Sequence, residues 1–154
     1  MLRLKAAASS PEDFTSGTFR AVLPDENGPS GEKVTRVLLA AGKVVYDLEA
    51  ERAKRKDEET AILRLERFYP LPGDELAKEL AKYPNAQIVH VQEEPSNQGA
   101  WPFLAMNLPA DLAEHGVYRP LSAVTRPASA SPAAGTAKKH AQEQADLIAA
   151  AFDR

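Results

Sequence analysis

The sequence lacks cysteine and contains few aromatic side chains. Without cysteine, the 154 residues can form no disulfide, thiolate metal site or cysteine nucleophile. Aromatic residues make up 6% of the chain and hydrophobic residues 44%, so a packed core must consist mainly of Leu, Val, Ile and Ala. This length suffices for one domain with its own core.

Two further absences narrow the range of partners. The chain has 19 basic and 22 acidic residues and a net charge of −3, so it lacks the basic excess typical of nucleic-acid binding. It has no apolar run of about 18 residues to span a membrane, and residues 1–14 lack the apolar core of a signal peptide. We therefore expect a cytoplasmic protein with neither nucleic acid nor a membrane as a partner.

Strand-like and helix-like segments alternate from residue 33 onward. The apolar pattern predicts strands at 33–42, 60–65, 87–92 and 117–124, and helices at 43–56, 75–82 (capped by Asp74), 99–108 and 136–152. This alternation is typical of an α/β domain with a mostly parallel sheet of about four or five strands and helices on both faces. Frequent Pro and Gly predict that residues 1–32 form an irregular N-terminal arm before a domain at 33–154.

Ligands of open parallel sheets bind beyond the carboxyl ends of the strands, which here selects the loops at 41–43, 93–100 and 126–139. Gly42 permits a tight turn into a helix whose free N–H groups, together with Lys43, would attract an anion. The alternative is a bare turn, since no second glycine or Gly-Lys-Ser/Thr sequence is present. Arg126 and Lys138 flank a loop of small residues and would clamp a phosphate or carboxylate, unless that loop is only a mobile surface segment.

The stretch VQEEPSNQGAW, at 91–101, follows a predicted strand. Glu93 and Glu94 resemble an acid–base pair, but adjacent residues on a strand point to opposite faces, so at most one faces a cleft. A structural role at the strand end or a contact with a ligand or interface remains the alternative. The other polar and aromatic residues of the stretch predict hydrogen bonds between loops and an anchor for the next helix or an interface: Asn97, Gln98, Gly99 and Trp101.

No catalytic group or metal site emerges from these patterns. His90, His115 and His140 lie far apart and share no ligand spacing, which disfavours a metal centre. No serine lies in a Gly-x-Ser-x-Gly turn. The residues alone therefore indicate an α/β domain able to bind a ligand, and no particular reaction.

Several separate motifs resemble, in the same order, the thiamine-diphosphate-dependent decarboxylating component of the 2-oxoglutarate dehydrogenase complex. VQEEPSNQGAWPF is similar to a segment near the C-terminus of that family. Further similar segments are MLRLKAAASSPEDF, KVTRVLLAAGKVVYDLEAER, AILRLERFYPLP and SASPAAGTAKKHAQEQADLIAAAF. The likeness covers nearly the whole chain and is greatest to the actinobacterial multifunctional form. The family often has Tyr at the position of Val45, Gln at Phe68, another aromatic at His90 and a second Arg at Pro127.

The resemblance implies a three-layer, transketolase-C-terminal-like domain that serves in dimerisation and effector binding. The complete enzyme would decarboxylate 2-oxoglutarate on thiamine diphosphate and Mg and pass the succinyl group to a lipoyl carrier. Implied partners are the upstream domains of the same enzyme, a homodimer partner and the lipoyl acyltransferase component, with acetyl-CoA or AMP as a possible effector. Gly42, Lys43, Arg126 and Lys138 are the candidate contacts for that effector.

The family's Gly-Asp-Gly motif, which helps to hold the cofactor, is missing, and Met1 matches an internal methionine of the family. We therefore expect a C-terminal fragment that is inactive alone, with no catalytic residue of its own. Two alternatives remain open at this point. One is a stand-alone regulatory module that binds a nucleotide or acyl-CoA, and the other is a small enzyme that uses Glu93 or Glu94.

Overall fold

A five-stranded sheet forms the centre of the domain. The structure is a computed structural model, and it describes residues 4–153. The strands are β1 (Val22–Leu23), β2 (Arg36–Ala40), β3 (Thr60–Leu65), β4 (Gln87–Pro95) and β5 (Leu121–Arg126). Their order is β1-β3-β2-β4-β5, with β1 antiparallel to β3 and the other neighbours parallel. The predicted mostly parallel sheet is therefore confirmed.

Helices cover both faces of this sheet, which gives the expected three layers. The helices are α1 (Pro11–Thr15), α2 (Val44–Arg55), α3 (Gly73–Leu80), α4 (Trp101–Glu114) and α5 (Ala137–Phe152), and a 3-10 turn spans Lys5–Ala7. Because successive strand residues point to opposite faces, β2 contributes to two cores. Leu39 packs with α3 and α4, whereas Leu38 packs with α2 and α5.

Several element boundaries differ from the sequence prediction. β4 continues past Gln92 to Pro95, because a register shift lets its pairing with β5 resume at Pro95 and Arg126. β5 begins at Leu121 instead of Val117, directly after Pro120, which has no N–H to donate to a ladder. α4 begins at Trp101 and runs through Pro109 to Glu114, so it ends beyond the predicted helix.

The predicted cap of α3 is wrong. The helix begins at Gly73 with Pro72 at the N-cap, so Asp74 lies inside the first turn. Its carboxylate accepts a hydrogen bond from Lys78 Nζ at 2.6 Å. By contrast, Thr136 caps α5 as predicted, and its hydroxyl accepts from the backbone N–H of Lys139 at 3.2 Å.

The N-terminal arm contributes a strand to the sheet. β1 pairs with β3, and the carboxylate of Asp25 just after β1 forms a buried ion pair with Arg52 of α2. Asp25 also accepts the backbone N–H of Ile62 at 2.7 Å. Residues 4–32 thus contain a 3-10 turn, the short helix α1 and the strand β1. The domain boundary at residue 32 stays a prediction.

Candidate functional site

The carboxyl ends of three parallel strands bring the selected loops to one edge of the sheet. β2 ends at Ala40 and leads through Gly42 into α2, while β4 and β5 end side by side at Pro95 and Arg126. Ten residues, 127–136, separate β5 from α5, and α5 packs against β5. This edge contains most of the residues that the sequence selected.

Gly42 and Lys43 form the turn between β2 and α2. Gly42 has a φ of +69°, a conformation that glycine adopts without strain, and beyond its two chain neighbours no other residue lies within 4 Å of the position of an added Cβ. Lys43 forms an ion pair with Asp47 and lies 3.8 Å from the carboxylate of Glu93. The hydrogen bond to Asp47 raises the pKa of the Lys43 ammonium, so this side chain stays charged. Two acids already balance its charge.

Arg126 is buried at the end of β5, with only 8% of its side chain exposed. Its Nη2 donates to Gln144 Oε1 at 2.9 Å and approaches His140 Nδ1 at 3.3 Å, both on α5. Its Nη1 lies 3.7 Å from a carboxylate oxygen of Glu143. Its Nε has no hydrogen-bond partner within the described part of the chain. A buried guanidinium with an unused donor is a feature that favours anion binding.

A cavity of about 300 Å³ lies between Arg126 and the loop that follows it. Lys139 and Glu143 of α5 line one side, and Ser129 and Ser131 of the loop line the other. Lys138 is exposed on the first turn of α5 and does not line this cavity. Lys139, which the sequence analysis did not select, therefore lies closer to Arg126's cavity than Lys138 does.

Lys43 and Arg126 belong to one chain of polar contacts. Asp47, the partner of Lys43, accepts a hydrogen bond from Gln144 Nε2 at 2.9 Å. Gln144 Oε1 in turn accepts from Arg126. The structure thus connects three of the four anion-binding candidates, including Gly42 in the turn, and places Lys138 outside this chain of contacts.

Gln92 organises the stretch that follows β4, a role the sequence analysis missed. Its Nε2 faces three backbone carbonyls, those of Glu94, Pro95 and Gln98, at 3.3, 3.1 and 2.8 Å. Its Oε1 accepts the backbone N–H of Trp101 at 2.8 Å. The side chain is buried and closes residues 92–101 into one compact turn. The available signal was a polar residue in phase with His90 and Ile88 on a buried strand face.

His90 and Trp101 stack inside this turn. Their ring centroids lie 6.2 Å apart with an interplanar angle of 10°, and His90 is 1% exposed. Its Nε2 lies 3.2 Å from Gln92 Oε1. Burial lowers the pKa of the imidazole, against smaller opposing effects of Gln92, the Leu39 backbone and Glu94. The ring is therefore neutral at physiological pH.

Asn97 and Gln98 connect the turn to the loop after β5, as their residue types predict. Asn97 Nδ2 donates to the carbonyl of Ser129 at 3.0 Å, and its Oδ1 accepts the Ser129 N–H at 3.0 Å. Gln98 Nε2 donates to the same carbonyl at 2.8 Å. These contacts hold the two loops of the sheet edge together.

The two glutamates occupy different environments. Glu93 is partly buried and faces Lys43, whereas Glu94 is exposed. Gly99 has a φ of +66°, and a Cβ there would lie 2.9 Å from the amide atoms of Gln92 and 3.0 Å from Cβ of Glu94. Gly99 is thus required by both its backbone conformation and its close neighbours.

The described residues form neither a metal-binding cluster nor a membrane-spanning helix. Within residues 4–153, no group of three or more His, Cys, Asp or Glu residues is placed to hold a metal ion. Across the same range, none of the helices combines the length and apolar character needed to cross a bilayer.

Comparison with known proteins gives a consistent match over the chain. The family model described as "2-oxoglutarate dehydrogenase C-terminal" matches residues 8–152. The chain is 43% identical over 157 residues to the multifunctional 2-oxoglutarate metabolism enzyme of Mycobacterium sp. strain JLS. It is 44% identical over 153 residues to the 2-oxoglutarate dehydrogenase E1 component of Cupriavidus necator.

A third relative, the 2-oxoglutarate dehydrogenase E1/E2 component of Corynebacterium glutamicum, is 43% identical over 155 residues. Each alignment covers 99% of this chain, but the chain spans only 12%, 16% and 12% of the length of the three relatives, respectively. The match therefore concerns one segment of much longer proteins. With a family model over 8–152 and this level of identity, the chain belongs to the 2-oxoglutarate dehydrogenase C-terminal family.

Proposed function

We propose that the chain acts as the C-terminal domain of a 2-oxoglutarate dehydrogenase or decarboxylase. It would support the thiamine-diphosphate-dependent decarboxylation of 2-oxoglutarate and succinyl transfer to a lipoyl carrier, without carrying out the chemistry itself. The observation that carries this proposal is the 43–45% identity over 99% of the chain to proteins named for that metabolism. These names favour an enzyme domain over a stand-alone regulatory module.

The side chains at the sheet edge support a non-catalytic role. Glu93 is near the cation of Lys43 and Glu94 is exposed, so the two carboxylates do not form a shared acid–base site. The described residues also do not fit thiamine diphosphate with magnesium, because they include no cluster of metal-ligating acids and Gly73-Asp74 begins a helix. Both groups would have to be held by other domains of the enzyme.

A turnover assay tests this division of labour. We expect no consumption of 2-oxoglutarate by the 154-residue chain when thiamine diphosphate and magnesium are added. Turnover by the purified chain, lost on substitution of Glu93→Gln or Glu94→Gln, would overturn the supporting role and restore the small-enzyme alternative.

An effector site at the sheet edge is the second part of the proposal. The cavity beside Arg126 and the N-terminus of α5 offer two cationic side chains, Arg126 and Lys139, and the positive end of a helix dipole. These groups suit a phosphate, which both AMP and acetyl-CoA carry. Lys139 lines this cavity and Lys138 does not, so the two neighbouring lysines provide a matched pair.

Calorimetry of AMP and acetyl-CoA binding tests the effector site. We expect Lys139→Gln to weaken binding by roughly tenfold, as loss of one charge-assisted contact of about 1.5 kcal/mol would do. The control Lys138→Gln should leave affinity within about twofold, because removal of an exposed charge outside the cavity costs little. Equal losses in the two variants, or no binding to the wild-type chain, would refute the placement of the site.

The outer face of α4 is the proposed contact with the upstream domains. Residues 101–110, WPFLAMNLPA, contain no charge, and Met106 is 82% exposed. Tyr69, 81% exposed, contacts Phe103 edge to face at 6.4 Å and extends this apolar surface. Surfaces of this kind typically become buried in an interface. Of the relatives' length, 84–88% lies outside the segment matched by this chain, which supports another domain of the same enzyme as the partner of this surface. A homodimer partner and the lipoyl acyltransferase component are further proposed partners of the whole assembly.

A further inference from the structure

Buried His90 stacks on partly buried Trp101 in a contact that does not depend on the proposed function. His90 is the only one of the three histidines that the structure buries, since His115 and His140 are exposed. It also contacts the side chain that closes the turn at 92–101. The protonation state of His90 therefore bears on the conformation of the whole turn.

The hydrogen bonds of Gln92 determine which nitrogen of His90 carries the proton. Because Gln92 Nε2 faces three carbonyl oxygens, the amide orientation is fixed and its oxygen points toward His90 and the Trp101 N–H. That oxygen can only accept, so His90 Nε2 must carry the hydrogen. Nδ1 is then the unprotonated nitrogen, and it is buried without a hydrogen-bond partner in the described chain.

Protonation would place a second N–H and a positive charge in this buried site. A buried charge without a charged partner is strongly unfavourable, and this cost outweighs the favourable contact that the Leu39 backbone gives the protonated ring. The parallel stack on Trp101 offers little compensation, since a centroid separation of 6.2 Å is at the outer limit of an effective cation–π contact. The opened turn, in which water reaches the ring, accepts the proton more readily.

The surroundings of His90 contain little opposite charge. The adjacent strands place Leu39 and Ala123 in register with it. On α4, which packs over this face, residues 101–110 carry no charged side chain. Glu94 is the acid whose charge acts on the ring, and its effect is smaller than that of burial.

Arg126 also lies near the end of the neighbouring strand, but its side chain contacts α5 on the opposite face of the sheet. It therefore neither neutralises nor directly contacts the imidazole. Burial remains the dominant influence on the proton affinity of His90.

We propose that His90 is a pH-sensitive switch whose protonation opens the turn at 92–101. The opening breaks the contact of Nε2 with Gln92 and the stack on Trp101. Because Asn97 and Gln98 hold Ser129, the loop that lines the cavity beside Arg126 is released with the turn. The switch thus couples proton uptake to the conformation of the sheet edge.

The direction of the pH effect follows from linkage. His90 has a lower pKa in the closed turn than the ordinary value of 6.5, which it regains when the turn is open. The open form therefore binds more protons as the pH falls below 6.5. The closed form is fully favoured above that value and loses stability below it.

Trp101 is the only tryptophan of the chain, so its fluorescence reports on this site alone. We expect a titration of the full 154-residue chain between about pH 8 and pH 5 to show a fluorescence transition with its midpoint below 6.5. Helical circular dichroism should stay unchanged through the transition. His90→Phe, which keeps an aromatic ring but cannot be protonated, should lose the transition, while His115→Gln and His140→Gln should keep it.

Nuclear magnetic resonance of the wild-type chain gives a second test that needs no variant. The His90 ring and the Trp101 indole should titrate with one common midpoint, and amides at 96–101 and 127–131 should exchange faster below it. A fluorescence transition that persists in a folded His90→Phe chain would overturn the proposal. So would a His90 ring that remains neutral until the whole chain unfolds.

Discussion

At the scale of single residues, Gln92 does more than the sequence pattern indicated. A buried amide is costly unless its donors and acceptor are satisfied, and here both ends are used. Its contacts explain why a small residue, Gly99, faces it and why Trp101 begins the next helix. The neighbouring acids Glu93 and Glu94 do not close the turn: Glu93 faces Lys43 and Glu94 is exposed.

Two glycines with nearly the same backbone conformation give a matched test of this packing. Gly99→Ala and Gly42→Ala both place alanine at a positive φ, of +66° and +69°. Gly42→Ala should lower the free energy of unfolding by about 1 kcal/mol, because the strain of alanine at positive φ exceeds the gain from a less flexible unfolded chain. Gly99→Ala should cost about 1–3 kcal/mol more, because its Cβ meets the Gln92 amide at 2.9 Å. Urea unfolding measures both, and equal losses would mean that the turn around Gln92 is not tightly packed.

At the scale of elements, local patterns located the segments better than their ends. β3 has the bounds that its apolar run predicted, because it lies between two other strands and five of its six residues are buried. The end of β4 depends instead on a register shift against β5, a contact between distant parts of the chain that no local pattern contains. The start of α3 also differs from the local prediction, since the helix begins at Gly73 and not after Asp74.

The ion pair of Asp25 and Arg52 joins the N-terminal arm to α2, and its side chains are only 3% and 10% exposed. Removing one partner leaves a buried charge, so Asp25→Ala should reduce the free energy of unfolding by about 3–5 kcal/mol. The exposed lysine Lys54 provides the control, and Lys54→Ala should change stability by no more than about 0.5 kcal/mol.

A double-mutant cycle separates the pair from its other contacts. The double variant Asp25→Ala with Arg52→Met should lose less stability than the sum of the two single variants, because neither unpaired charge remains. Urea unfolding of all four chains provides the comparison. Strictly additive losses would show that the two side chains act independently in holding the arm.

At the scale of the whole molecule, the sequence predicted the layered fold and the edge where its loops meet. Alternating apolar segments were sufficient for the parallel sheet, and the rule for strand ends then selected the loops of Lys43 and Arg126. The sequence could not distinguish Lys139 from Lys138, because adjacent helix residues point in different directions. The path of the loop decides which of the two reaches the cavity. Nor could the sequence predict that His90 would stack on Trp101, because that contact depends on the turn formed by Gln92.

The proposed role of the whole molecule is to support, as one domain, an enzyme that decarboxylates 2-oxoglutarate. A chimera tests it, in which the chain replaces the aligned segment of the Cupriavidus necator E1 component. Met106→Lys should impair the chimera by placing a charge in the proposed α4 contact, while Lys54→Met, far from α4, should not. The decisive measurement is 2-oxoglutarate decarboxylation by the chimera: we predict turnover within about tenfold of the parent enzyme, a barrier change of no more than about 1.4 kcal/mol. A chimera that folds and assembles but shows no turnover would contradict the proposed role.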